Sequence, residues 1–507
     1  MTDTPAAGAP PLAAKAAPRP VFTEGYKRLV LILLVIAYTL NFIDRTIIAT
    51  IGQAIKVDLK ITDTQLGLLG GLYFALLYTL LGIPIARFAE RFSRVNIITG
   101  AIIVWSAFTA LCGTAANFAT LAAFRFGVGF GEAGLSPPSH SLLSDYFEPK
   151  KRATALYIYA FGIPLGSMLG AVIGGQMLDH FTWRTAFMLV GLPGVAVAIA
   201  LKLLVKEPPR GHSEADGGAA VQTAAASKRY SLSSEFKEIG AVVATLFGNW
   251  PVLNVVLGIT LVSFAGYGGG QFAPPYFIRA FHLSYGQVGL IVGLAAGLSQ
   301  GIGTLLGGPI TDRLGRLSPR WYALVPAIGV AAAFPFHVLV YTAATWQTAV
   351  MFILLPGILA YVYLGPTFGV VQNMAPTHRR ATAAAIMLFF VNLIALGGGP
   401  PFAGWVIDHF AAFHLANPGE PGMWAAVSHF FATDPASFQT ACPGGVAPAG
   451  AGPEAAAACG GALVLATRQG IIIAYSISLW GAFHYLLASF GLKQALAKAR
   501  ADRGEDD

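Results

Sequence analysis

Long apolar stretches, separated by short polar segments, run along almost the whole chain. A helix that crosses a bilayer needs about 20 mostly apolar residues, and twelve stretches reach that length. They cover residues 28–53, 64–89, 95–115, 118–144, 153–177, 183–204, 250–280, 285–311, 321–342, 346–374, 382–410 and 468–491. A transmembrane β-barrel would instead show alternation over segments of about ten residues. The pattern therefore predicts an all-α integral membrane protein with twelve transmembrane helices.

The polar segments divide these helices into two sets of six. Residues 28–204 predict an N-terminal six-helix bundle, and residues 250–491 predict a C-terminal bundle that includes an outer loop over 411–467. The stretch 205–249 begins rich in Ala, Gly and Ser and ends amphipathic, which predicts a linker with a surface helix. We expect residues 1–27 to form a disordered N-terminal segment and residues 492–507 to form a polar tail.

The composition agrees with a membrane protein. Of the 507 residues, 55% are hydrophobic and only 11% are charged, whereas soluble proteins carry about 25% charged residues. The formal charge of +8 alone would suit a nucleic-acid-binding protein, but the basic residues form short clusters and no continuous face. The sequence contains no Walker loop, no Cys/His metal spacing and no nucleophile elbow. We therefore expect no nucleic-acid partner, no enzymatic activity, no cofactor and no metal.

The basic residues also predict the orientation of the chain in the membrane. Of the 32 lysines and arginines, 25 lie in the segments that share a side with both termini, and 5 lie on the opposite side. The positive-inside rule then places both termini and the linker in the cytoplasm. Cys442 and Cys459 lie together in the outer loop, and because disulfides persist outside the cytoplasm we expect these two residues to form one.

A short motif recurs in the two halves of the chain. The segment after the second predicted span contains Glu90, Arg91 and Arg94. At an offset of 222 residues, the segment after the eighth contains Asp312, Arg313 and Arg316. Paired six-helix repeats are typical of secondary transporters, whose binding site lies between the repeats. The repeat therefore favours a transporter.

These residues carry a resemblance to a known family. Residues 308–316 resemble the Gly-x-x-x-Asp-Arg-x-Gly-Arg loop signature of the major facilitator superfamily, from which the first copy departs at Ala86, Glu90 and Ser93. The chain also resembles the spinster branch of that superfamily, whose members are linked to export of sphingosine phosphate and lysolipids. The matching segments are 41–45, 90–94, 125–133 and 207–211. The resemblance implies that the loop motif braces helix ends in one access state, so we expect its six charged residues to govern gating.

Two carboxylates are far from either end of their predicted spans: Asp44 and Glu132. Arg45 follows the first, and Arg125 lies two helical turns from the second. A charge at the bilayer centre costs about 2.5–3.5 kcal/mol on insertion scales, so these four need partners or a watery cavity. One interpretation is an architectural ion-pair cluster. The other is a proton-coupling and substrate site, because an arginine that changes partners alters how readily a buried carboxylate binds a proton.

The C-terminal half offers aromatic residues at the corresponding depth. We expect Tyr267, Tyr361 and Phe368 to wall a central cavity, with Asn41 on the opposite side near the charged residues. A cavity that is charged on one side and aromatic on the other suits an amphiphile with an anionic head group.

Together these features predict a proton-coupled secondary transporter of the bacterial inner membrane, moving a lysolipid- or sphingolipid-like anion by alternating access. We expect a monomer whose partners are the small amphiphilic substrate, protons and the lipid bilayer. Efflux of drugs or organic ions on the same scaffold remains an alternative. A membrane sensor without transport activity is a remote one, because it would need neither the repeated loop motif nor the deep titratable groups.

Overall fold

The structure, a computed structural model, describes residues 21–213, 240–244, 246–375, 380–419 and 422–501, and all regular elements in these ranges are helical. The N-terminal half contains α1 (Glu24–Leu59), α2 (Asp63–Ala89), α3 (Arg94–Cys112), α4 (Phe118–Glu132 continued by Ser136–Tyr146), α5 (Lys150–His180) and α6 (Trp183–Leu204). The C-terminal half contains α7 (Trp250–Phe281), α8 (Tyr285–Gly315), α9 (Trp321–Thr342), α10 (Trp346–Met374), α11 (Thr382–Ala416) and α12 (Pro453–Ser489).

The predicted all-α membrane fold with twelve spans is confirmed. Eleven helices in the described ranges are long and apolar enough to cross a membrane. The fourth span, α4, is interrupted after Glu132, so its longer piece has only 15 residues. With twelve crossings, both ends of the chain lie on one face, here called the terminal face. The opposite face carries residues 417–452 and is called the loop face.

Glycines allow the helices of the N-terminal half to approach closely. A Cβ atom on Gly166 of α5 would lie 2.4 Å from the carbonyl oxygen of Thr39 on α1. One on Gly129 of α4 would lie 2.3 Å from the carbonyl oxygen of Phe74 on α2. Both approaches are closer than any side chain permits, so these glycines serve helix packing. Through them, α5 packs closely on α1, and α4 packs closely on α2.

The last span differs from its prediction. Helix α12 begins at Pro453, not near residue 468, so the loop covers 417–452 and not 411–467. Residues 453–467 are rich in Ala and Gly, a composition that suggested a loop. Alanine is nevertheless the strongest helix former, and proline suits the first helical turn. The extra turns extend α12 well beyond the apolar stretch.

Some predictions fall on residues outside the described ranges. These are the N-terminal segment up to residue 20, the linker from 214 to 239 and the tail from 502 onward. The described start of the linker, 205–213, packs on the terminal face, and residues 240–244 are helical. After α12 the chain continues as α13 (Leu492–Ala501).

Candidate functional site

Four charged side chains meet near the midpoints of α1 and α4. Asp44, Arg125 and Glu132 are almost completely buried, while the Arg45 side chain keeps 16% of its surface accessible. Arg45 Nε donates to Glu132 Oε2 at 2.6 Å, and Arg125 Nη1 lies 3.9 Å from Asp44 Oδ1. The pairing is crossed. Asp44 and Arg45 are adjacent on α1 but belong to different pairs, and so do Arg125 and Glu132 on α4. Each ion pair therefore joins α1 to α4.

Helices α2 and α3 hold the Asp44–Arg125 side of this cluster. Thr109 Oγ1 of α3 donates a hydrogen bond to Asp44 Oδ2. Arg125 Nε donates to the carbonyl oxygen of Leu69 at 3.2 Å. Leu69 lies just before Gly71, where α2 leaves helical geometry with φ −113° and ψ −94°. A helix break frees carbonyl groups from their intrahelical partners, and Arg125 uses one of them to connect the kink in α2 to Asp44.

Aromatic rings enclose the other arginine. The Arg45 guanidinium lies over the rings of Phe42, Phe74 and Tyr78, at 4.9, 4.9 and 4.3 Å from their centroids. Phe74 also lies 5.3 Å from the Arg125 guanidinium. A desolvated cation gains about 2 kcal/mol from a well-placed ring. The rings therefore stabilise Arg45 at this depth. Without them, its ion pair alone would have to offset the cost of removing the guanidinium from water.

Several buried polar atoms of the cluster have no hydrogen-bond partner among the described residues. They are Oδ1 of Asp44, Oε1 of Glu132, Nη1 of Arg125 and both amide atoms of Asn41. Asn41 lies one turn before Arg45 on α1 and is fully buried. Each unpartnered buried polar group costs about 1–3 kcal/mol. These atoms are available to a water molecule, a proton or a ligand.

The structure places the three predicted aromatic residues of the C-terminal half at different distances from the charged cluster. Tyr267 lies near the middle of α7, yet its side chain is accessible, and it is close enough to Arg45 and Tyr78 for an electrostatic interaction. Tyr361 is in turn within electrostatic range of Tyr267. Phe368 instead packs against the hydrophobic core of its own half. Of the three predicted cavity aromatics, Tyr267 therefore approaches the charged cluster, and Tyr361 lies behind it within range of Tyr267.

On the terminal face, Arg94 is the centre of a buried polar network. Its guanidinium donates to Glu207 Oε1 at 2.7 Å, to the carboxylate of Asp145, and to the carbonyl oxygens of Ser141 and Pro208 at 3.1 Å each. Arg94 thereby ties the start of α3 to the end of α4 and to the start of the linker. Glu90, in contrast, is exposed and pairs with Arg87 one turn earlier, at 3.2 Å.

The second copy of the motif is more open. Asp312 Oδ1 accepts a hydrogen bond from the Tyr322 hydroxyl at 3.0 Å, and the side chains of Asp312, Arg313 and Arg316 are exposed. In the first copy, Arg91 is exposed as well. Matched sequence spacing therefore does not give matched environments. In this conformation Arg94 of the N-terminal motif is buried within its own half, whereas the charged side chains of the C-terminal motif are accessible.

A second buried charged cluster lies on the loop face, and sequence reasoning missed it. Asp63 at the start of α2 binds Lys56 of α1 at 2.5 Å and Arg279 of α7 at 2.7 Å. Asp408 of α11 accepts hydrogen bonds from the backbone N–H groups of Asp63 and Thr64, at 2.9 and 2.8 Å. Because α1 and α2 belong to one half and α7 and α11 to the other, these contacts close the loop face between the halves. A sequence signal existed, since Asp408 lies inside a predicted span.

The loop adds a further contact across this closure. Cys442 and Cys459 form a disulfide that ties the loop to α12. Gln439 Nε2 donates to the carbonyl oxygen of Lys60 at the end of α1, at 2.5 Å. Gly444, with φ +69°, packs so closely that a Cβ would lie 2.8 Å from the carbonyl oxygen of Lys56. The loop thus reaches from the C-terminal half onto the end of α1.

Comparison with known proteins identifies the family. The sequence profile of the Major Facilitator Superfamily matches residues 34–400. The chain belongs to this superfamily. It is 31% identical to an MFS-type efflux pump of Mycolicibacterium smegmatis, over 73% of this chain and 82% of that protein. It is 27% identical to mouse Protein spinster homolog 1, over 76% of this chain and 74% of that protein. A crystal structure of a bacterial homolog of the human lysosomal transporter spinster, inward-facing and unoccupied, superposes with a TM-score of 0.76 at 30% identity, covering 94% of this chain and 99% of that one.

These relationships confirm the resemblance to spinster transporters that the sequence motifs indicated. As a member of a transporter family, the protein is a multi-pass membrane transporter and not an enzyme. The two similar bacterial proteins differ in their descriptions, one being an efflux pump and the other a homolog of a lysosomal transporter. Family membership therefore leaves the substrate and the coupling ion to be argued from the site itself.

Proposed function

We propose that the protein is a proton-coupled secondary transporter that moves a lysolipid- or sphingolipid-like anion by alternating access of its two halves. The observation that carries this proposal is the crossed arrangement of Asp44, Arg45, Arg125 and Glu132, with unpartnered carboxylate oxygens, beside an aromatic surface of the other half. Both carboxylates are held by arginines on a different helix. A relative movement of α1 and α4 therefore changes both ion pairs at once.

The proton step follows from this crossing. When α1 shifts against α4, Glu132 loses Arg45, and a buried carboxylate without its counter-charge favours proton uptake. The return movement restores the ion pair and favours release. Asp44 keeps the hydroxyl of Thr109 as a hydrogen-bond donor, whereas Glu132 has Arg45 as its partner through Oε2 alone. Glu132 is thus the carboxylate whose charge depends more completely on one arginine.

The substrate step uses the accessible arginine. Glu132 engages Nε of Arg45 and leaves part of the guanidinium accessible. Arg125, by contrast, is almost fully buried. An anionic head group entering between the halves therefore meets Arg45 first. Phe42, Tyr78 and the facing Tyr267 surround that position with rings, which suits the apolar part of an amphiphile adjoining its head group.

The closed loop face supports alternating access. The contacts of Asp63 and Asp408 join the halves on that face, while the accessible Arg313 and Arg316 lie on the other. We propose that the terminal face is cytoplasmic, so that this conformation is open to the cytoplasm, in a monomer residing in the bacterial inner membrane. Exchange of access then requires the loop-face cluster to break.

Flux measurements in proteoliposomes test this proposal. The purified protein is reconstituted, and uptake of a panel of lysolipids and sphingosine phosphate is followed with and without a pH gradient. We expect at least one anionic amphiphile to be transported faster with the gradient. Transport that is indifferent to the gradient would contradict proton coupling, and transport of none of these amphiphiles would contradict the substrate class.

A second candidate is efflux of drugs or other organic ions. It is favoured by the 31% identity to an MFS-type efflux pump of Mycolicibacterium smegmatis. The same reconstituted protein distinguishes the two, because cationic and neutral drugs gain nothing from the accessible Arg45. Competition between such drugs and a lysolipid would support the efflux function.

A further inference from the structure

We propose that the loop docks into the lipid leaflet at the loop face through one aromatic surface, formed by Met423, Trp424, Val427 and Phe431. These side chains belong to the short helix Met423–Ser428 and the turn that follows it. Trp424 is 81% exposed and Phe431 93% exposed, and the other two are also exposed. Large apolar side chains at such exposure, gathered on one surface, mark an interaction site.

The sequence of this segment is typical of a bilayer interface. Residues 422–433 contain no Asp, Glu, Lys or Arg, and they are flanked by Glu420 and Asp434. One side of the short helix is packed, since Ala426 is buried. Tryptophan and other aromatic side chains concentrate at the boundary between hydrocarbon and water. An amphipathic helix lying in that boundary buries its apolar face among lipid head groups.

The segment packs on the side of α11 that faces away from the bundle. Asp408 faces α2, as its hydrogen bonds show. Ile407 faces α12, because a Cβ on Gly470 would lie 2.5 Å from it. Trp405 and His409 point in the remaining direction, and Trp405 is exposed there. This third side of α11 packs against neither α2 nor α12, so we take it to face lipid.

The loop descends along this lipid-facing side. The Phe430 ring stacks on His409 at 4.4 Å and meets the edge of Trp405 at 4.7 Å. The 35 residues of α11 measure about 52 Å at about 1.5 Å per residue, against a hydrocarbon core of about 30 Å. If α11 is centred, its end projects about 10 Å beyond the core, and His409 lies about 10 Å below that end. Phe430 therefore lies at the boundary of the hydrocarbon core, and the exposed Phe431 follows it directly.

Lipid explains this surface better than a second copy of the chain. The aromatic surface is continuous, through Phe430, with the exposed Trp405 on the side of α11 that packs against neither α2 nor α12. Its depth also matches the interfacial layer that aromatic side chains prefer. The inference does not depend on the proposed substrate or on proton coupling, since it concerns only the contact between loop and bilayer.

Fluorescence quenching in nanodiscs tests the proposal. Phe431→Cys, made on a Cys112→Ser background, is labelled with an environment-sensitive nitrobenzoxadiazole probe without reductant, so that the disulfide stays closed. The matched control is Ala449→Cys, an exposed loop residue outside the aromatic surface. We expect the probe at 431 to be quenched by lipids carrying a shallow spin label and to be several-fold less sensitive to iodide than the probe at 449.

Two outcomes would overturn the proposal. Equal sensitivity to iodide at both positions would mean that the aromatic surface faces water. Protection from iodide without quenching by spin-labelled lipid, in discs that hold more than one copy, would mean that a second copy covers it. If Phe431→Cys fails to fold, Trp424→Cys provides the same measurement at the neighbouring exposed ring.

Discussion

Neutralising Asp63 should open the loop face. Asp63 is fully buried and holds two cations, Lys56 and Arg279, whose side chains are at most 4% exposed. Asp63→Asn keeps the shape and a hydrogen-bond acceptor but removes the charge. Leaving a buried charge unpaired costs about 3–5 kcal/mol. Asp408 stays within electrostatic range of Lys56 and partly compensates that cation, so we take the lower limit of about 3 kcal/mol.

This cost applies only to the closed conformation, because separation of the halves lets Arg279 and Lys56 reach water. At 1.4 kcal/mol per factor of ten, about 3 kcal/mol shifts the equilibrium between closed and open by about 100-fold. A closed population of about 99% would then fall to about half. Spin labels on the exposed Thr182 and Ala344 report this shift as a second, longer distance in electron–electron double resonance.

Asp58→Asn is the matched control for this experiment. Asp58 lies on the same face and binds Arg184 at 2.6 Å, but both residues belong to the N-terminal half and are partly exposed. Exposed ion pairs contribute about 0–1 kcal/mol, and this one does not cross between the halves. We therefore expect the distances of the unsubstituted protein. If Asp63→Asn also leaves the distances unchanged, the loop-face cluster is not what keeps the halves together.

Three further predictions follow from the same structure. Glu132→Gln should abolish acceleration of transport by a pH gradient while the protein stays folded and binds substrate. Glu454→Gln, the same change at an exposed site outside both charged clusters, should leave gradient-driven flux intact. A normal gradient response in Glu132→Gln would exclude that carboxylate. Arg94→Gln leaves two carboxylates without their shared cation and should destabilise the protein by about 3–5 kcal/mol, measured as a lower unfolding temperature in detergent. Alkylation without reductant should modify neither Cys442 nor Cys459 in the intact mass, and labelling of both would contradict the disulfide.

The deep cluster could be located from the sequence because a charged residue inside a long apolar stretch is costly in a bilayer and therefore rare. Asp44 and Glu132 stand out by depth alone, and equal depth on adjacent helices brings them together. Which arginine binds which carboxylate could not be predicted. Pairing depends on the rotation of α1 against α4, which follows from how each helix packs on its neighbours: α1 against Gly166 of α5, and α4 through Gly129 against α2.

The loop-face cluster could not be found in the same way. Lys56, Asp63 and Arg279 lie near helix ends, where charged residues are ordinary, and only the packing of the two halves buries them. Asp408 was the available signal, because it falls inside a predicted span. A carboxylate placed near the end of an apolar stretch is nevertheless compatible with simple exposure at the membrane surface.

The sequence repeat does not predict the environment of each motif copy, and the partners of Arg94 show why. Arg94 is buried because Asp145 at the end of α4 and Glu207 after α6 both bind its guanidinium. Arg316, at the matching position of the second copy, is exposed. The repeat places the two motif copies after corresponding helices. The environment of each copy depends on partner residues that lie outside the motif.

Helix α1 connects the two charged clusters. It is continuous over 36 residues, unlike α2 and α4, which are interrupted. Asp44 and Lys56 on this helix are about 18 Å apart along its axis at about 1.5 Å per residue, and Gln53 accepts a hydrogen bond from Arg279 of the other half at 2.7 Å. An unbroken helix transmits a shift at one end to the other, because its length is fixed by its own hydrogen bonds. We therefore expect a change of partners at Arg45 to move Gln53 and Lys56 against α7, which would couple the deep ion pairs mechanically to the closure of the loop face.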